Sequence, residues 1–159
     1  MRKVLHCAPE RYGKYRYLLE IRLGEGDRLA VILKNPSTAS AERRDPTVGK
    51  VEAWARRHGY GTLTIVNLFA LRSTDPVELN RHPYAVTVGP ENDRYIRLAA
   101  DSADAIIAAW GNPNGIGRER YDRRIREVLR LLDGVKMGEV GERTKLGYPR
   151  HGLRWGHSC

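Results

Sequence analysis

Three asparagines, two hydroxyl residues, a tryptophan and a histidine stand where short apolar runs end, and their groups suit recognition rather than redox or metal chemistry. Asn35, Ser37 and Thr38 follow the run Leu29 to Leu33, Asn67 closes Leu63 to Val66, and Trp110, Gly111 and Asn112 follow Ala105 to Ala109. A carboxamide offers a carbonyl acceptor and an NH₂ donor side by side, which is the pattern that pairs bidentately with the edge of a nucleobase. Amide and hydroxyl groups also hold a single water, and the imidazole of His151 can carry or relay a proton. Each residue has a local alternative. Asn67 could serve an Asx turn or a helix cap, Asn35-Pro36 could start a turn, and Ser37 or Thr38 could cap a helix. Asp45, in Asp45-Pro46-Thr47, reads as a helix N-cap ahead of a carboxylate facing a crevice.

The elements that must position these residues are legible as periodicities. Residues 15 to 23 alternate apolar and polar positions, and Gly24 to Asp27 is a turn, so a hairpin is expected to feed the buried strand 29 to 33. A helix follows over 48 to 58 with Val48, Val51, Trp54 and Ala55 on one face. The strand 63 to 66, a helix over 91 to 103 with Ile96, Ala99, Ala100 and Ala103, and the strand 105 to 109 repeat the pattern. A last helix, 118 to 132, buries Tyr121, Ile125, Val128, Leu129 and Leu132. Its six arginines, offset by Glu119, Asp122 and Glu127, read as a solvated face of ion pairs. A short strand is expected over Val135 to Met137. The alternation predicts one three-layer α/β domain over residues 1–159, with a mostly parallel central sheet, helices on both faces and an N-terminal hairpin. In such a sheet the crevice lies beyond the carboxyl ends of the strands, where the polar residues named above converge.

The 159 residues carry a formal charge of +9, and 22 of the 28 cations are arginine. Guanidinium forks suit phosphate, although a GC-rich genome would give the same bias. The segment 143 to 159 has Arg143, Lys145, Arg150 and Arg154 and no acidic residue. No apolar run reaches the ~20 residues of a membrane span, so a cytoplasmic, membrane-free protein is expected. Cys7 and Cys159 have no CxxC partner, so neither a disulfide framework nor a metal site is expected. GxGxxG, GxxxxGK[ST] and GxSxG are absent, which counts against nucleotide-cofactor and serine-hydrolase chemistry.

The ordered motifs NPSTA (35 to 39), DPT (45 to 47), HGYG (58 to 61), NLFALRSTDP (67 to 76), AAWG (108 to 111) and GYPRH (147 to 151) resemble the bacterial and phage family catalogued as domain of unknown function 1643. More distantly, the order of an Asn-Pro loop, a strand-closing Asn and a late His is similar to the uracil-DNA glycosylase superfamily, especially its mismatch-specific members. That resemblance implies a glycosylase-like fold and a monofunctional DNA glycosylase acting on a flipped, non-standard or modified base. Antiviral defence against modified phage DNA is a setting it suggests. Asn35 would place the hydrolytic water and His151 would stabilise the departing base. Asn67 would read the base, with Phe69 or Trp110 as a stacking wall and Ser37 beside them. Leu153 would be a wedge, with Thr38, Lys145, Arg150 and Arg154 against the DNA. No cofactor or metal is implied, and the partner would be DNA met by a monomer. The chain departs from that pattern at Lys34, where an apolar residue is usual, at Gly152, where proline follows the late His, and in having no carboxylate within NPSTA. Lyase activity is not expected. A non-catalytic reader of modified bases or structured nucleic acid, and a hydrolase of free nucleosides or nucleotides, are the alternative readings.

Overall fold

A computed structural model describes residues 2–38 and 45–155 of the chain. His157 and Cys159 lie outside the described residues. Five strands, β1 (Lys3–Ala8), β2 (Leu18–Arg22), β3 (Arg28–Leu33), β4 (Thr62–Asn67) and β5 (Ala105–Ala108), form one sheet in the order β1-β2-β4-β3-β5. The helices are α1 (Pro46–Arg57), α2 (Tyr84–Val88), α3 (Asn92–Ser102) and α4 (Arg118–Leu131), with 3₁₀ turns at Pro76–Arg81 and Gly152–Arg154.

The sheet is mixed, which corrects the expectation of a mostly parallel one. β3 pairs in parallel with β4 and with β5, whereas β1 with β2 and β2 with β4 are antiparallel. The hairpin is therefore β1–β2, and the chain between β2 and β3 steps over β4 rather than folding back. The turn leading out of β2 is pressed onto the one leading into β4, with the amides of Leu23 and Gly24 donating to Gly61 O at 2.8 and 3.1 Å. Gly26 has φ of +138° there, and a Cβ on it would lie 2.2 Å from Gly59 O. Only glycine permits that approach.

Alternation along the central strands builds two cores. Ala30 and Ile32 of β3 face a core shared with Ile96 and Ala99 of α3 and Tyr121 and Val128 of α4. Leu29, Val31 and Leu33 face Val48, Val51, Trp54 and Ala55 of α1, and Trp155. The connections β3–α1–β4 and β4–α3–β5 cross the sheet in opposite directions, so crossovers of one hand put α1 and α3 on opposite faces. The expected three layers are thus present. Burying each large apolar side chain contributes about 1.5–3 kcal/mol, and Trp155, 4.9 Å from the Trp54 ring, anchors the tail to α1.

Three further expectations change. The segment 135–137 is not a strand; the chain touches β5 one residue later, in a parallel bridge between Gly138 and Ile107. β2 begins at Leu18; Tyr15 makes an isolated antiparallel bridge to Leu71 and stacks on Tyr17, which stacks in turn on Tyr95. In α4, Leu129 is 49% exposed while Arg124 is 1% exposed. Arg124 donates to Leu68 O at 2.6 Å and to Asp93 at 2.7 Å, so one cation of the supposed solvated face is a core staple. Asn92, also buried, donates to the carbonyls of Asn67 and Leu68, both at 3.0 Å.

Candidate functional site

The carboxyl ends of β3, β4 and β5 bring Lys34, Asn35, Asn67 and Asn112 to one edge of the sheet. The tail closes over that edge because Gly111 N donates to Pro149 O at 3.0 Å and Gly152 N to Ala109 O at 3.3 Å. His151 is thereby carried against Gly111.

Asn67 is 1% exposed, and its amide nitrogen makes only a 3.4 Å contact, to Arg16 O. Its Oδ1 is buried without a hydrogen-bond partner, as is Oδ1 of Asn112. A buried carbonyl left without a donor costs about 1–3 kcal/mol, which a ligand N–H at this point would recover. Asn35 turns its NH₂ toward Pro36 O (3.1 Å) and Ser73 O (3.4 Å). Its Oδ1 accepts from no described residue and remains available to a water.

His151 caps the last 3₁₀ turn, its Nδ1 accepting from Leu153 N at 3.0 Å. The ring proton therefore sits on Nε2. Burial, reinforced by the charge of Lys34 and opposed by Asp45, holds the imidazole pKa down at about 4, so it is a neutral donor near pH 7. Lys34 is 2% exposed, and its ammonium has no hydrogen bond or ion pair among the described residues. Burial lowers its pKa to about 8.

Asp45 does more than the cap expected of it. Oδ1 accepts from Thr47 N (2.9 Å) and Val48 N (3.3 Å), while Oδ2 accepts from Ser37 Oγ at 3.1 Å. The same Oδ2 lies 4.0 Å from the buried guanidinium of Arg16. Arg72 stacks over Tyr12 at 4.1 Å and donates to Ser37 O at 3.1 Å. Burial lowers the pKa of Arg16, with Asp45 raising it and Arg72 lowering it again. Arg16 and Arg72 both feel the charge of Asp45, while Lys34 has no carboxylate partner among the described residues, so three cations gather at this edge. Sequence periodicity put Arg16 on the polar side of a strand and so missed it. Lys34 was visible as a lysine ending an unbroken apolar run.

The remaining candidates divide. Thr38 is exposed and shares a 2.9 Å hydroxyl contact with Thr74. Phe69 is wholly buried between Tyr84 and Tyr121 and offers no exposed ring face. Trp110 is also buried; it lines a cavity of about 440 Å³ beneath α4, with Ile125, Met137 and Tyr148. Leu153, Arg154 and Lys145 are exposed and Arg150 half-buried on the segment that carries His151. Arg143 is bound to Glu139 through both nitrogen and oxygen pairs, so it is a poorer candidate for phosphate than the other three. Gly152 is explained by packing: a Cβ there would lie 2.6 Å from Val51 and 3.2 Å from Leu33, which no proline could satisfy.

Among the described residues no group of three His, Cys, Asp or Glu side chains is placed to hold a metal ion. No helix of the described residues is long and apolar enough to cross a membrane.

An α/β domain with a polar, cation-rich cluster at the carboxyl edge of three parallel strands is the class that fold and site define. The chain belongs to the family described as "Protein of unknown function (DUF1643)", whose model matches residues 16–153. No curated protein and no solved structure matches the chain.

Proposed function

We propose that the protein is a DNA glycosylase, hydrolysing the N-glycosidic bond of a flipped-out non-standard or modified base and leaving an abasic site. The observation that carries this reading is the unpartnered, buried Oδ1 of Asn67 at the strand end, with the neutral Nε2–H donor of His151 on the same edge. An acceptor and a donor of this kind meet the hydrogen-bonding edge of a base taken out of the stack.

In the proposed reaction a water held by Asn35 Oδ1 adds to C1′ as the C1′–N bond breaks. The base leaves with the bonding electron pair, and the proton lost by the water ends on the departing base. Negative charge developing on the base is met by His151 Nε2–H without a net charge having to be buried. The cations gathered near Asp45 suit the phosphates that flank an extruded nucleotide, and Lys145, Arg150 and Arg154 on the segment of His151 suit the backbone beyond. Defence against DNA carrying modified bases is the biological setting proposed.

The test is incubation of the purified protein with DNAs containing uracil, mismatches and hypermodified cytosines or thymines, scoring alkali-labile abasic sites. Sites that appear with the wild type and vanish with Asn35→Ala and His151→Ala are the expected result. Salt-sensitive binding with no abasic sites anywhere in the panel would overturn the reading in favour of a non-catalytic reader.

A further inference from the structure

We propose that Lys34 is an amine nucleophile that forms a Schiff base with the C1′ aldehyde of a ring-opened abasic sugar, giving the site a strand-cleaving lyase step after base removal. This deepens the glycosylase reading, replaces the expectation of a monofunctional enzyme without lyase activity, and rests on that reading for the identity of the sugar. Three observations carry it. Lys34 follows β3 directly, on the same edge as Asn35, Asn67 and His151, so its position is fixed by the sheet rather than by a surface loop. It is 2% exposed, whereas the other five lysines are all exposed. Among the described residues its side-chain nitrogen has no carboxylate partner: Asp45 pairs with Arg16, and Asp93 and Glu127 pair with Arg124.

An ammonium kept for structure or for anchoring is ordinarily paired, and burying one unpaired is costly. A buried amine without a counterion loses its proton readily and is then a nucleophile, which is how lysines are activated for carbonyl chemistry. With its pKa lowered to about 8, a useful fraction of Lys34 is free amine near neutral pH. His151 beside it stays uncharged near neutral pH and supplies no counterion.

The step balances without a cofactor. The Lys34 nitrogen adds to C1′, and the carbonyl oxygen leaves as water, giving the iminium. Loss of the C2′ proton to water turns its electron pair into the C1′=C2′ bond of an enamine. That pair then forms C2′=C3′ as the iminium is restored, and the 3′ phosphate departs with the C3′–O bonding pair. A second water then hydrolyses the imine and returns Lys34. His151 Nε2 already holds a proton, so it is not the acceptor for C2′–H.

The experiment uses duplex DNA in which the abasic site is already made, so no base excision is needed. The full chain is incubated with it in sodium borohydride, which reduces an imine to a stable amine, and the covalent protein–DNA product is resolved on a denaturing gel and mapped by peptide sequencing. The same duplex with a tetrahydrofuran analogue, which has no aldehyde, is the control. Lys34→Met replaces the amine by an apolar chain of similar length, and Lys34→Arg keeps the charge without a nucleophile. The expected result is an adduct at Lys34 with the aldehydic DNA, none with the analogue, and at least a tenfold loss in both variants, each of which is checked for folding by its unfolding transition. No adduct with the wild type, or an undiminished one in folded Lys34→Met, overturns the proposal. Base excision without an adduct would remove this inference and leave the glycosylase reading standing. An adduct without excision of any base would do the reverse.

Discussion

Gly111 and His151 touch so closely that a Cβ on Gly111 would sit 2.6 Å from the Cβ of His151. Gly111 also has φ of +70°, a conformation that side chains disfavour. Gly111→Ala is therefore expected to push His151 off its cap on Leu153. Base excision should fall at least tenfold while the unfolding free energy drops by about 1–3 kcal/mol. Kinetics on the responsive substrate and denaturant unfolding measure the two together.

The low pKa of His151 has a sign that can be checked. In the unfolded chain the imidazole titrates near ~6.5, and in the folded protein at about 4. Between those values the unfolded chain binds more protons, so this contribution is fully present above about pH 6.5 and is lost as pH falls toward 4. About 1–3 kcal/mol is expected from it, after allowance for its partial exposure. His151→Gln should flatten that part of the curve, as stability measured against pH will reveal.

Lys34 predicts a stabilised variant. Lys34 is a buried side chain with no ion pair among the described residues and titrates at about 8, whereas the unfolded lysine titrates near ~10.4, so wild-type stability should rise with pH between the two values. Lys34→Met removes the burial cost and should gain about 1–3 kcal/mol near pH 7, a gain that shrinks toward pH ~10. Chemical denaturation at the two pH values decides it.

Asp45 divides its two oxygens between a cap and a charge, and two substitutions separate them. Asp45→Asn keeps an acceptor for Thr47 N and Val48 N but leaves Arg16 without its carboxylate. Asp45→Ala loses the cap as well and should cost about 1 kcal/mol more. Inorganic phosphate should raise the melting temperature of Asp45→Asn more than that of the wild type, because an anion can take the vacated place. Equal shifts would show that the cations of this edge do not bind anions.

The cations on the segment carrying His151 should separate by their partners. Replacing Lys145, Arg150 or Arg154 by Ala is expected to reduce the slope of log affinity against log salt by about 0.9 each on duplex DNA. Arg143→Ala should change it far less, since that guanidinium is held by Glu139. Titrations at several salt concentrations supply the slopes.

The parallel core and its helices were legible because each signal is local. The apolar runs at Leu29, Leu63 and Ala105 and the stripe Val48, Val51, Trp54 need no knowledge of the rest of the chain. The order of the strands did not follow, since whether β2 pairs with β3 or β4 depends on glycines 59 and 61, more than thirty residues away from it. Among site residues, Asn35, Asn67 and His151 could be found because polar groups at strand ends stand out against apolar runs. Arg16 and Arg124 could not, because an arginine that snorkels to a distant carbonyl or carboxylate leaves no local trace. Phe69 was placed as a possible wall for a base, but an aromatic at a strand end serves a core equally well.

The carbonyl of Leu68 accepts from both Asn92 and Arg124, one step beyond Asn67. A short side chain from α3 and a long one from α4 therefore clamp the peptide that follows Asn67, like a vice closing on a single rung. The neighbours of Asn35 and Asn112 are held in the same way, by Arg72 on Ser37 O and by the Tyr121 hydroxyl on Gly111 O. All three asparagines of this edge are therefore presented from peptides tied down by side chains of other elements, so whatever meets them meets a preset spacing rather than one that forms on contact.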